Sequence, residues 1–125
     1  LSGRPNFHIS LVVDVSPNCD CHSENDIPII PDVGMFASFD PVALDQACAD
    51  MVNQAPLLTT GNVLQDKMAH SHDGECGCGH HGHVHAQEIH NDKFRMIHPD
   101  TNWQACLEYS EEIGLGTRQY ELIKV

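Results

Sequence analysis

Residues 69–86, AHSHDGECGCGHHGHVHA, constrain this chain more than any other stretch. They hold six His, two Cys and four Gly with almost no apolar side chain. Such a segment cannot bury enough surface to offset its ordering entropy, so it reads as an inserted surface loop. Any core must come from the flanking residues of a 125-residue chain, which is the length of one domain. Hydrophobic residues at 41% against 19% charged leave enough apolar content for a modest core. Eighteen acids face six bases, a formal net charge of −12. That excludes a basic nucleic-acid face and disfavours an anionic membrane surface. No apolar run reaches the roughly 18 residues of a spanning helix, and no secretory leader is visible, so the expected location is cytoplasmic.

The six cysteines sharpen the chemistry. Four form two C-x-C pairs, Cys19 with Cys21 and Cys76 with Cys78, and His follows each pair at His22 and at His80 and His81. Thiolate plus imidazole is the ligand set of Zn, Ni, Cu or an iron–sulfur centre. Without a leader, metal or redox chemistry is the better reading than a disulfide framework. Cys48 and Cys106 fall inside helical patterns and read as small buried hydrophobes.

Along the chain, NFHISLVVDV at 6–15 reads as a buried strand that runs through a Ser-Pro-Asn turn into the Cys-rich loop CDCHSEND. Residues 27–31 are extended because two prolines forbid helix. A turn at 32–34 leads into a short strand, MFAS. Asp40 then caps a helix, PVALDQACADMVNQ, with Pro41 at its first position. Its apolar face is Val42, Leu44, Cys48, Met51 and Val52, with Asp45 and Asp50 on the wet side. NVLQDKM at 62–68 is weakly helical. A second main helix, TNWQACLEYSEEI, is capped by Asp100 or Thr101 and stopped by Gly114, with Trp103, Cys106, Leu107 and Ile113 as its apolar face. The alternation of QYELIKV predicts a final strand. The expected fold is α/β or α+β: one domain over 1–125, a small mixed sheet, two main helices and the His/Cys-rich insert.

Two stretches carry a family resemblance. The segment VSPNCDCHSENDIPIIPDVGMFASFDPVALDQACADMVNQAP resembles the domain-of-unknown-function-362 family of uncharacterised iron–sulfur centre proteins. The tail, DKFRMIHPDTNWQACLEYSEEIGLGTRQYELIKV, looks like that family's C-terminus. Many members carry two C-x-x-C-x-x-C-x-x-x-C-P runs that bind 4Fe–4S clusters. This sequence has no such run. The resemblance implies the C-terminal portion of a longer protein, or a subunit completed by another chain, with any cluster in a region absent here. It also implies a metal site at Cys19, Cys21 and Asp32.

Two constellations therefore compete with plainer readings. Cys19, Cys21, His22 and Asp32 can close a four-coordinate site, or can form a turn whose carboxylates bond the backbone. Asp14 reads as a strand-end residue. His70, His72, Cys76, Cys78, His80, His81, His83 and His85 can load several ions, or can decorate a solvated loop. The two C-x-C pairs can also share one ion. No nucleophile elbow, phosphate loop or H-E-x-x-H pair appears, so no catalytic residue is assigned. His8 reads as a satisfied core residue, and His98 as a donor to a helix or loop carbonyl. The expected function is a metal-binding, redox-associated domain holding Zn, Ni or Fe. The alternatives are a metal chaperone or storage module and a structural or interaction fragment. The expected partners are metal ions and a missing region or second subunit, with neither nucleic acid nor membrane among them.

Overall fold

The computed structural model describes residues 4–19, 22–23, 26–58 and 91–125. Five elements are formed there: β1 (His8–Val12), β2 (Gly34–Ser38), α1 (Pro41–Gln54), α2 (Lys93–Ile97) and α3 (Trp103–Glu112). The chain has a small mixed α/β fold. The insert at 69–86 and the weak helical pattern at 62–68 lie outside the described residues. The described residues fall into two compact units, one within Leu1–Val13, Asp32–Ala55 and Asn102–Val125, the other within Asp14–Pro31 and Pro56–Thr101.

The first unit holds the sheet. β1 and β2 run antiparallel, with His8 opposite Ser38, Ser10 opposite Phe36 and Val12 opposite Gly34. The sequence predicts a mixed sheet ending in a strand over QYELIKV. Instead the described residues contain a two-stranded ladder, which 119–125 does not join. Alternation alone cannot make a strand where no neighbouring backbone supplies hydrogen bonds.

β1 is also less buried than its composition suggests. Side chains alternate across a strand, and α1 packs on one face of this sheet. That face carries His8, Ser10, Val12, Phe36 and Ser38, and Ser10 hydrogen-bonds the Cys48 thiol of α1. The other face is apolar and open: Ile9 is 60% exposed, Leu11 64% and Met35 68%. Phe7 and Phe39 extend it in register, with ring centroids 5.1 Å apart and the rings tilted by 59°.

α1 begins where the sequence indicates. One oxygen of Asp40 accepts from the Val42 and Ala43 amides at 2.9 and 3.0 Å, and Pro41 fills a position whose missing N–H costs nothing. The helix buries Val42, Ala43, Leu44, Ala47 and Val52, while Cys48 and Met51 are half-buried. Asp50 is not on the wet side. It is half-buried and accepts from Gln46 Nε2 at 2.9 Å and from the Tyr120 hydroxyl at 2.7 Å.

α3 buries only Leu107. Cys106, expected inside, is exposed, as is Ile113, because α3 offers α1 a single narrow stripe. The helix starts after Asn102, whose side chain makes no cap, so neither Asp100 nor Thr101 is the cap. Gly114 ends it as expected, at φ +73, where an L-residue would be strained.

Beyond α3 the chain is tied down by side chains. The Asp40 carboxylate occupies the space a Cβ on Gly116 would need, and its second oxygen accepts from the Thr117 amide at 2.9 Å. Glu111 accepts from the Arg118 amide at 2.9 Å and from its Nε at 3.1 Å, and Glu108 accepts from Arg118 Nη1 at 3.3 Å. The two Arg118 bonds to Glu111, with a third from the Thr117 hydroxyl, hold the Glu111 carboxyl below its ordinary range.

Candidate metal centre

The second unit carries the first Cys-His turn. The backbone leaves β1 through Asp14, a non-glycine residue at φ +49, a conformation Asp tolerates better than most residues. The base of the following loop is closed where the Ile29 amide donates to the Val15 carbonyl at 2.8 Å. The Leu58 amide then donates to the Ile29 carbonyl at 2.9 Å. Ile29 and Ile30 are buried and anchor this return segment.

Within the loop, the His22 amide donates to the Cys19 carbonyl at 2.9 Å. That bond ties the chain back on itself across three residues. It puts the Cys19 thiol and the His22 imidazole on one tight turn, and both residues are exposed. Two residues before Cys19, the Pro17 carbonyl lies 3.0 Å from Nε2 of His98. A carbonyl can only accept, so this ring nitrogen carries the proton. His98 thus holds the chain just before Cys19, as a donor to a loop carbonyl. The sequence supports that bond type, but not its link to the Cys-His turn, which requires the fold.

Asp32, exposed, belongs to the unit that holds the sheet. Cys21, His70, His72, Cys76, Cys78, His80, His81, His83 and His85 lie outside the described residues. Among the described residues, no three His, Cys, Asp or Glu side chains gather closely enough to hold a metal ion. The described donor set at the turn is therefore one thiol and one imidazole, half of a tetrahedral shell.

The other described histidine and thiols behave differently. His8 is half-buried, and its Nε2 is bonded to Oδ1 of Asn6, just before β1, at 2.7 Å. Burial pushes the Cys48 thiol up, with nearby Asp45 adding to the shift against the Ser10 hydrogen bond. A thiol held protonated is a poor ligand. In α2, Asp92 is buried and accepts from the Arg95 amide at 3.1 Å, and burial pushes the Lys93 ammonium down. Among the described residues, no helix is long and apolar enough to cross a membrane.

Residues 2–50 match the family described as Domain of unknown function (DUF362). The chain carries a DUF362 segment. That segment contains β1, the Cys19–His22 turn, β2 and most of α1. The DUF362 match does not reach the tail at 92–125, and the expectation that the chain is the family's C-terminal portion is not borne out. A capped helix followed by an alternating segment is too general a pattern to carry that assignment. Neither a curated protein nor a solved structure matches the chain.

Proposed function

We propose that this chain is a metal-binding, redox-associated module. In this reading the turn at 19–22 binds one ion through Cys19, Cys21 and His22, and the His/Cys-rich stretch 69–86 recruits metal to it. The observation that carries the reading is the turn itself. Its closing bond from the His22 amide to the Cys19 carbonyl draws the backbones of two exposed, ligand-type residues together, and His98 steadies its base. Ligands fixed before the ion arrives lose less entropy on binding. Thiolate with imidazole suits Zn, Ni or Fe rather than a hard cation. The described donors do not by themselves fit a four-ligand cluster, so an iron–sulfur centre is assigned to none of these residues. The exposed thiols fit a reducing compartment such as the cytoplasm.

Exposure of both donors also favours an ion that exchanges, which supports the chaperone or storage reading. One experiment separates the two. Metal and acid-labile sulfide per chain are measured on untagged protein purified anaerobically, then on Cys19→Ser/Cys21→Ser and on a deletion of 69–86. Metal lost with the Cys pair is the expected result. Zinc or nickel lost mainly with the deletion favours storage. Metal in none of the three proteins, including after reconstitution, contradicts both readings.

A further inference from the structure

With Cys19, Cys21 and His22 as ligands, one position of a tetrahedral shell is left to fill. Asp32, the fourth residue the sequence suggests, belongs to the other compact unit, whereas His98 belongs to the unit of the turn. The His98 ring is held beside the chain just before Cys19, with Nε2 3.0 Å from the Pro17 carbonyl. Pro17 and Cys19 are two residues apart, so their Cα atoms are separated by ~7.6 Å at most.

The same bond fixes where the ring carries its proton. A carbonyl can only accept, so in the neutral ring the proton is on Nε2 and the lone pair is on Nδ1. A metal-binding histidine almost always has this arrangement: one ring nitrogen takes the ion, and the other donates to a carboxylate, a backbone carbonyl or water. His98 shows the donating half of the pattern. The accepting half is open, because among the described residues Nδ1 makes no hydrogen bond. His98 is also exposed to the solvent from which an ion arrives. His8 bonds an oxygen through Nε2 as well, but it is half-buried and lies in the unit without the turn.

The backbone of His98 is held as well as its ring. α2 ends on this residue, whose amide donates to the Phe94 carbonyl and whose carbonyl accepts from the Thr101 amide, both at 2.9 Å. A ligand fixed in its backbone and at one ring nitrogen loses little freedom when the other nitrogen takes an ion.

We propose that His98 is a ligand, through Nδ1, to the ion held at the 19–22 turn. The proposal rests on the metal reading of that turn and adds its fourth donor. The shell is then two thiolates and two imidazoles, the set of a closed zinc site. Among the described residues these side chains are not gathered. Binding therefore requires Cys19 and His22, both exposed, to turn their side chains toward Nδ1.

The test follows the ring nitrogens of His98 by nitrogen NMR of the isotopically labelled, reduced full chain as Zn(II) is added. The expected result is that the Nδ1 resonance leaves the lone-pair range for that of a metal-bound nitrogen. Nε2 stays protonated, and the Cys19 Cβ resonance shifts in step. A Cys19 shift with Nδ1 unmoved overturns the proposal and leaves the metal reading of the turn standing. If neither moves, both fall. A shift of Nδ1 that persists in Cys19→Ser/Cys21→Ser overturns the shared ion. His98→Gln keeps a donor for the Pro17 carbonyl but offers no imidazole, and its zinc affinity is expected to fall about tenfold or more. Unchanged affinity in that variant overturns ligation by His98.

Discussion

The Asp40 carboxylate accepts from Val42 and Ala43 with one oxygen and from Thr117 with the other. Its role as a cap is legible in the sequence, because Asp before Pro at a helix start has a local physical reason. Its second bond is not legible, since the partner amide is 77 residues away and only the fold brings it near. Asp40→Ala is expected to cost about 1–2 kcal/mol from the cap, with a further loss from freeing Thr117. Urea unfolding measures it, and Asp40→Asn should recover part of the loss. Tyr120 offers a second residue-scale test. Burial first, then its hydrogen bond to Asp50, pushes the phenol up to about 12. A raised acid favours the folded state while protonated. That contribution is complete below the ordinary tyrosine range and disappears as pH rises through about 12. Tyr120→Phe should remove the high-pH component of the phenolate absorbance titration.

At the scale of elements, local signals and partner-dependent ones diverge. α1 is legible from end to end because its cap, its Pro41 and the Pro56 beyond its end all act within a few residues. β1 and β2 are legible as strands, but which face is covered depends on packing, and Ile9, Leu11 and Met35 lie open. QYELIKV has the pattern of a strand but, among the described residues, joins no ladder. Cys106 sits at a core spacing on α3, a helix that buries Leu107 alone. The loop between the strands has its own long-range tie, from His98 to the Pro17 carbonyl. His98→Ala is expected to cost about 1 kcal/mol and to speed amide exchange at His22. Unchanged exchange at His22 would show that the turn stands without His98. Close packing sets a further test: Gly116→Ala drives a methyl into the Asp40 carboxylate, with an expected loss of about 1–3 kcal/mol in the same urea experiment.

At the scale of the whole molecule, the described residues supply a two-unit α/β frame and one exposed turn that carries a thiol and an imidazole. Residue type and spacing make the metal reading legible, since Cys and His recur in close pairs. Sequence spacing cannot say which donors meet, because convergence of ligands is a property of the folded chain and of the ion it binds. The family match over residues 2–50 includes the turn. The most direct measurement of the central claim is a Co(II) titration of the reduced chain, read by its thiolate-to-cobalt charge-transfer absorption. A saturable band that persists when 69–86 is deleted, and is lost in Cys19→Ser/Cys21→Ser, is the expected result. A band that survives the double substitution and disappears with the deletion would contradict a metal centre at the turn.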